Sequence, residues 1–184
     1  MSLPYGLLGL LAYQDSTGYE LTKVFEDSLN HFWHAQSSQI YRELDRLEQK
    51  GWVVSQNVVQ DKRPNKRVYA ITAAGRSALA DWLKNSAVEF EHCHEPLLVR
   101  VFFGANDPEV TLKLLKDCRD LCLATIEEQS RKIQEKIATY SDLIQDGETK
   151  RLYWEMTLDY GMSQARATAA WAERCIDKIE GRIK

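Results

Sequence analysis

The sequence predicts a mainly α-helical protein with one small β-hairpin, divided into an N-terminal domain at 1–90 and a C-terminal domain at 91–184. The first observation behind this prediction is composition: 44% of the 184 residues are hydrophobic and 28% are charged, with nine Gly and four Pro, which is typical of a helix-rich globular protein. The second is hydrophobic spacing, which is helical in most segments and gives way to β-branched runs beside one basic stretch. The third is the polar stretch at 91–95, which indicates a solvated linker.

Two helices are predicted before residue 30. Pro4 suits the first turn of a helix, and the leucines after it indicate a short buried helix that ends near Asp15. Thr17 is then placed to cap a second helix. The apolar residues of this second helix recur on one side: Leu21, Val24, Phe25 and Leu29. A short aromatic turn leads directly to a third helix.

The third helix is predicted to be amphipathic with a polar outer surface. Ser37 or Ser38 can cap it, and Gly51 ends it. Its inward stripe consists of Ile40, Leu44 and Leu47. The hydrogen-bonding residues on or beside the opposite surface are Ser38, Gln39, Tyr41, Arg42 and Arg46. Such groups bind base edges and phosphates, although a merely solvated helix surface has a similar composition.

Two β-forming runs follow, at 52–59 and 67–72, and the basic stretch beside them predicts a hairpin with a charged tip. Pro64 and Asn65 suit its turn. Four cations fall within seven positions of a chain whose net charge is -3: Lys62, Arg63, Lys66 and Arg67. Thr72 is placed to cap a fourth helix. This order of elements is that of a winged helix-turn-helix domain, in which a basic wing contacts phosphate.

Three stretches of the first half carry a family resemblance. They are GYEL at 18–21, IYRELDRLEQKGWV at 40–53 and RVYAITAAGRSALADW at 67–82. In this order and spacing they resemble the PadR family of bacterial transcriptional regulators. The second half resembles, in length and helical pattern, the helical C-terminal domain of the larger PadR subgroup typified by the virulence activator AphA.

The resemblance implies roles for particular residues. The head of the recognition helix corresponds to Ser37, Ser38, Gln39, Tyr41 and Arg42, and the wing corresponds to Lys62, Arg63, Lys66 and Arg67. Relatives often place glycine where this chain has Pro64-Asn65, so the wing contacts can differ in register while the basic character is kept. The resemblance also implies that the C-terminal domain is a dimerisation arm, and that phenolic acids or other aromatic compounds are candidate inducers.

Two long amphipathic helices are predicted in the C-terminal domain, over about 107–140 and about 148–183. At ~1.5 Å per residue the first is a rod of roughly 50 Å. The residues expected at a dimer interface are Leu114, Cys118, Cys122 and Ile126 in the first helix and Met156, Trp171 and Ile179 in the second. Because the last helix is apolar on several sides, the two helices cannot bury these side chains on each other alone, so a homodimer is expected. A monomeric helical bundle stays as the alternative.

Other candidate sites have simpler explanations. Five aromatic residues could line a pocket for a small aromatic ligand between the domains, although core packing also explains each: Phe32, Trp33, Phe102, Phe103 and Trp154. His92, Cys93 and His94 are of metal-ligand types, but three adjacent residues cannot all turn to one tetrahedral ion, so no metal site is predicted. The four cysteines form no C-x-x-C pair and are expected to be reduced. No cofactor is predicted.

Charge and motifs narrow the expected function. Residues 1–90 carry ten Lys+Arg and ten Asp+Glu, so the basic character is local to the third helix and the wing. The sequence contains no G-x-S-x-G, Walker loop, H-E-x-x-H or G-x-G-x-x-G after a strand, so no enzyme is expected. The apolar run at the start lacks a basic region and is too short to cross a bilayer. The chain is therefore expected in the cytoplasm, without a membrane partner.

The expected function is that of a sequence-specific DNA-binding transcriptional regulator acting as a homodimer on an inverted-repeat site of double-stranded DNA. The alternative is a winged-helix protein-interaction module that does not bind DNA. Specific binding to a palindromic site would separate the two.

Overall fold

The computed structural model describes residues 3–58, 66–85 and 95–183, without the side chains of residues 31, 129 and 183. The elements, in chain order, are α1 (Leu3–Tyr13), β1 (Ser16–Thr17), α2 (Gly18–Ser28), a 3₁₀ turn (Leu29–His31), α3 (Ser37–Gln49), β2 (Val53–Val58), β3 (Lys66–Ile71), α4 (Ala73–Asn85), α5 (Pro96–Phe102), a second 3₁₀ turn (Gly104–Asn106), α6 (Pro108–Ala124), a π-helical segment (Thr125–Gln129), α7 (Ser130–Ser141) and α8 (Gly147–Ile183). The predicted mainly helical fold with a small β-structure is confirmed. Within the described ranges, no helix is long and apolar enough to cross a membrane.

The β-structure is a three-stranded antiparallel sheet in the order β1-β3-β2. The predicted pairing of β2 with β3 is confirmed, with Val53 opposite Ile71 and Val58 opposite Lys66. Strand β1 was not predicted, because two residues are too short to show an alternating pattern. The predicted tip, with Lys62, Arg63 and Pro64-Asn65, lies outside the described residues.

Side-chain caps begin two of the helices as predicted. At α2 the backbone N–H of Glu20 donates to Thr17 Oγ1 at 3.2 Å, and the Thr17 N–H donates back to Glu20 Oε2 at 2.8 Å. These bonds from the Thr17 backbone and hydroxyl hold the pKa of Glu20 below its ordinary value. At α4 the N–H of Gly75 donates to Thr72 Oγ1 at 3.0 Å. Each cap satisfies a donor that the first helical turn leaves without an intrahelical partner.

The predicted serine cap of α3 is wrong. Ser37 is already helical, and the residue before the helix is Gln36, whose backbone is extended at φ -80° and ψ 150°. The N–H of Gln36 donates to Gln39 Oε1 at 2.8 Å, and the N–H of Gln39 donates to the backbone carbonyl of Gln36 at 2.8 Å, so no serine side chain is needed for these two donors. The predicted end of the helix is confirmed, since Gly51 adopts a left-handed φ of 69° that favours glycine.

Residues 1–88 and 139–148 form one compact unit. Its core contains the predicted apolar stripes of the first three helices together with residues of the sheet: Leu7, Leu8, Leu11, Leu21, Phe25, Ala35, Ile40, Leu44, Leu47, Val53, Tyr69 and Ile71. Residues 139–148, which the sequence placed in the second domain, belong to this unit in the structure. The Tyr140 hydroxyl donates to Asp27 Oδ2 at 3.0 Å, and burial followed by this bond raises the pKa of Tyr140 to about 12.

Residues 89–138 and 149–184 form the second unit. One core cluster joins α6 to α8 through Leu115, Ala172 and Ile176, which are almost wholly buried. A second cluster contains Ile137, Leu158 and Met162. Ion pairs reinforce the first cluster at its edges, Lys116 with Glu180 at 2.7 Å and Arg119 with Glu173 at 2.9 Å. The two long helical segments were predicted, but the π-helical turn at Thr125–Gln129 was not.

Candidate nucleic-acid interface

Helix α3 separates its buried and polar residues as predicted. Ile40, Leu44 and Leu47 are 0% exposed, which anchors the helix in the core of the first unit. The exposed residues of the early turns form what we call the α3 polar surface: Ser37, Ser38, Gln39, Tyr41, Arg42 and Arg46. The structure thus brings together every DNA-binding residue that was predicted on this helix, and their contact with DNA stays a prediction.

The two arginines of the α3 polar surface have weak local partners. Arg42 Nε donates to the carbonyl of Ser38 at 3.3 Å. Arg46 pairs with Glu43 at 3.1 Å while its side chain stays 67% exposed. The Glu43 side chain is 12% exposed, but the Arg46 guanidinium lies mostly in solvent, where water and salt screen the pair. Both guanidinium groups can therefore exchange these partners for a phosphate or a base edge.

Tyr41 packs against α2 and is also partly exposed. A Cβ placed on Gly18 would overlap Tyr41 Cε1 and lie 3.1 Å from the tyrosine hydroxyl oxygen. The ring thus lies directly on the start of α2, and glycine at that position makes the approach possible. Since Tyr41 remains 43% exposed, it joins α2 to α3 while part of its surface is open to a partner. This explains why glycine and tyrosine occur at these two positions.

The predicted wing cations separate into three groups. Lys62 and Arg63 lie outside the described residues. Lys66 is exposed at the first position of β3. Arg67, the next residue, is held by acidic partners, which the sequence did not predict.

Arg67 is the centre of a polar cluster between the sheet and α3. Its Nη2 pairs closely with the Glu48 carboxylate, and its Nη1 lies 3.8 Å from Asp45 Oδ1. Its Nε donates to Ser55 Oγ at 2.8 Å, and the Ser55 hydroxyl donates to Glu48 Oε1 at 2.6 Å. The guanidinium also lies 5.1 Å from the ring centroid of Tyr69. We call these five residues the Arg67 cluster.

The predicted dimer-interface residues are placed on α6, the π-helical segment and α8. Six of them are half-buried, namely Leu114, Cys118, Cys122, Ile126, Trp171 and Ile179, and Met156 is 55% exposed. Trp171 and Ile179 pack on the Leu115 cluster, and Ile126 packs on the Ile137 cluster. Burial, followed by the neighbouring Cys118, raises the pKa of Cys122, as expected of a packed thiol.

The predicted set of dimer-interface residues left out several large exposed hydrophobic side chains of the second unit. On α6 and α8 they are Val110, Leu121, Leu152, Tyr153 and Tyr160, each more than half exposed. The sequence shows them as apolar residues on the same two helices as the predicted interface positions.

The predicted ligand residues are divided between the two units, and a pocket lined by them stays a prediction. Trp33 packs on the core of the first unit, Trp154 packs on the Ile137 cluster, and Phe102 is 82% exposed with its ring centroid 5.0 Å from that of Phe103. The candidate ligands at 92–94 lie outside the described residues. Elsewhere in the described ranges, no three His, Cys, Asp or Glu side chains are grouped so that they could hold a metal ion.

Comparison with known proteins identifies both halves of the chain. Residues 7–81 match the "Transcriptional regulator PadR-like family", and residues 94–180 match "Virulence activator alpha C-term". A probable transcriptional regulator of Mycobacterium tuberculosis, Rv1176c, is 46% identical over 83 residues, which are 45% of this chain and 44% of that protein. The negative transcriptional regulator PadR of Bacillus subtilis is 27% identical over 79% of this chain and 77% of its own.

Solved structures share the fold over almost the whole chain. The crystal structure of Bacillus subtilis PadR with operator DNA has a TM-score of 0.79 at 22% identity, covering 97% of this chain and 99% of its own. The same protein with p-coumaric acid has a TM-score of 0.75 at 23% identity, and the match covers 97% of this chain and 95% of that one. The Vibrio cholerae virulence activator AphA has a TM-score of 0.69 at 25% identity, and the match covers 98% of this chain and 99% of that one. The chain thus combines a domain of the PadR-like family of transcriptional regulators, at 7–81, with a C-terminal domain of the virulence-activator type, at 94–180.

Proposed function

We propose that the chain binds double-stranded DNA as a transcriptional regulator and acts as a homodimer on an inverted-repeat site. The observation that carries this proposal is α3. The helix is anchored by three wholly buried residues and turns Gln39, Arg42 and their exposed neighbours outward. A rigid helix with such a surface fits the major groove, where glutamine pairs with adenine and arginine pairs with guanine.

The wing supports the proposal by adding charge beside α3. Lys66 is exposed at the start of β3, and Lys62 and Arg63 precede it closely in the sequence. Each lysine or arginine that neutralises a phosphate releases a counterion, so binding weakens as salt rises. The wing therefore contributes affinity, and the α3 polar surface contributes preference for sequence.

A homodimer follows from the amount of sequence that one helix can read. One recognition helix contacts too few base pairs to specify a genomic site, whereas two helices about 34 Å apart can enter successive turns of the groove. The exposed hydrophobic residues of α6 and α8, Met156 among them, offer a surface for the second copy. Two identical subunits related by a twofold axis fit an inverted repeat.

The relatives support the same function. The Bacillus subtilis relative of 27% identity is a negative transcriptional regulator, and the fold neighbour bound to operator DNA has the same arrangement of elements. A small aromatic effector is a further element of the proposal. It rests on the predicted aromatic residues and is tested by adding p-coumaric acid to the DNA complex, where release of the DNA is the expected result.

Selection of bound fragments from genomic DNA, followed by titration of the selected site, tests DNA binding. Lys62→Ala together with Arg63→Ala should weaken binding to selected and random duplexes about equally, and each lost phosphate contact should remove roughly 0.9 from the log–log salt slope. An unchanged slope would remove the wing from the interface. A wild-type chain that selects no fragment at any salt concentration would instead favour the protein-interaction module.

Sedimentation velocity tests the homodimer. Met156→Glu places a charge at an exposed interface position and is expected to shift the chain towards monomer. Leu83→Glu is the matched control, because Leu83 is 65% exposed on α4 of the first unit, whereas the proposed interface residues belong to the second unit. Loss of dimer in both variants, or in neither, would contradict the proposed interface.

A further inference from the structure

The Arg67 cluster places two carboxylates on the helix that we propose to face DNA. Asp45 and Glu48 lie in the second half of α3, with side chains 59% and 31% exposed. Unpaired carboxylates there would repel phosphate. Both instead lie against the Arg67 guanidinium, which reaches them from β3.

The hydrogen bonds of Arg67 hold its guanidinium in a fixed orientation between the sheet and α3. The group has five N–H donors in a planar fork. It makes a close pair with Glu48, a longer pair with Asp45 and a 2.8 Å bond to Ser55. The two donors bound to Glu48 and Ser55 could turn to a phosphate only by giving up partners that are held in place by the helix and the sheet.

The position of Arg67 in the sheet explains its partners. Arg67 is opposite Asn57 in β2, and Ser55 is opposite Tyr69. Ser55 is thus the diagonal neighbour of Arg67, within reach of a long side chain on the same surface of the sheet. Lys66 precedes it, and alternate residues of a strand point to opposite surfaces. Among the described residues, Lys66 forms no ion pair.

We propose that Arg67 is a positioning residue of the DNA interface, which ties the return strand of the wing to the recognition helix and neutralises Asp45 and Glu48. This inference rests on the proposed DNA binding. The wing cations reach phosphate at the correct distance from α3 because the Arg67 cluster holds β3 against that helix. Binding thus depends on the shape of the Arg67 fork, whereas a phosphate contact depends mainly on its charge.

The substitution Arg67→Lys separates the two roles, since lysine keeps the charge but cannot hold three partners in a planar fork. Binding of the full chain to a labelled duplex is measured by fluorescence anisotropy at several salt concentrations. Arg67→Lys is expected to weaken binding about tenfold, nearly as much as Arg67→Ala, because the hydrogen bonds of the planar guanidinium are lost in both. Its salt slope should equal that of the wild type. Lys66→Ala is the matched control, and its slope should fall by roughly 0.9.

The substitution Glu48→Gln tests the same Arg67–Glu48 contact by changing its partner on α3. It should weaken DNA binding, and the double variant Arg67→Lys/Glu48→Gln should bind no more weakly than Arg67→Lys alone, since both changes break one interaction. Wild-type affinity in Arg67→Lys, or tighter binding in Glu48→Gln, would show that Arg67 contacts phosphate and would overturn the inference.

Thermal unfolding of the same variants provides a readout that needs no DNA. The double variant should lose less in thermal midpoint than the sum of the losses in Arg67→Lys and Glu48→Gln, because both changes break the same contact. A loss equal to that sum would show that Arg67 and Glu48 do not stabilise each other and would overturn the inference. If the wild type binds no duplex, the proposed function fails. The thermal unfolding of the two single variants and the double variant still decides whether Arg67 joins β3 to α3.

Discussion

Replacing Gly75 by alanine is expected to destabilise the protein, although alanine is the better helix former. A Cβ at Gly75 would overlap the carbonyl oxygen of Trp52 and lie 2.9 Å from Ile71 Cγ1. The first of these is a backbone atom that accepts a 3.0 Å bond from the N–H of Thr72, so it cannot move aside without disturbing the sheet. The gain in helix propensity is at most about 1 kcal/mol, whereas overpacking costs about 1–3 kcal/mol. We expect a net loss of about 1–2 kcal/mol in the free energy of unfolding.

Gly9 is the matched control for this prediction. It lies inside α1, and a Cβ there would meet no heavy atom within 4 Å, so Gly9→Ala should raise stability by up to about 1 kcal/mol. Urea unfolding of both variants at 25 °C, followed by circular dichroism, measures the difference. A Gly75→Ala protein as stable as the wild type would refute the reasoning, because it would show that α4 can withdraw from Trp52 at no cost.

Arg42→Ala should lower affinity for the selected DNA site by ~1–3 kcal/mol and leave random duplex almost unaffected; equal losses on both, measured by anisotropy, would make Arg42 a phosphate contact. Leu115→Ala should cost about 2–5 kcal/mol of unfolding free energy in urea, because Leu115 is 0% exposed in the α6–α8 cluster, and a loss below 1 kcal/mol would contradict that packing. Glu20→Gln should reduce the loss of stability on acidification from about pH 5 to pH 3. The folded pKa of Glu20 lies below 4.5, so its carboxylate stabilises the protein above that pH and ceases to do so as the pH falls; an unchanged pH dependence would exclude this contribution.

Periodicity was sufficient to predict the elements that build the core. The stripe of α3, the caps at Thr17 and Thr72 and the pairing of β2 with β3 depend on local spacing and hydrogen-bonding groups, which a sequence displays directly. The polar surface of α3 followed from the same stripe, because the residues opposite a buried stripe are exposed.

Features that depend on distant partners were not predicted. Arg67 was grouped with the wing cations because its neighbours are basic, yet its partners in the structure include Glu48, nineteen residues earlier in the chain. On α6 the predicted stripe passed through Leu114, whereas Leu115 is wholly buried, because the packing of α8 selects the side that faces inward. Gln36 could not be recognised as the residue preceding α3, since its cap comes from Gln39 and not from its own side chain.

The segment 139–148 has a consequence for the order of folding. The bond between Asp27 and Tyr140 joins residues 113 positions apart, so the first unit is assembled from two pieces of chain with most of α5–α7 between them. During synthesis, the piece ending at residue 88 leaves the ribosome well before its second piece exists. The Asp27–Tyr140 bond can form only after residue 140 has emerged, which requires prior synthesis of α5, α6 and most of α7. Non-local contacts of this kind slow folding, so the proposed DNA-reading unit gains its last segment after most of the intervening helices have been made.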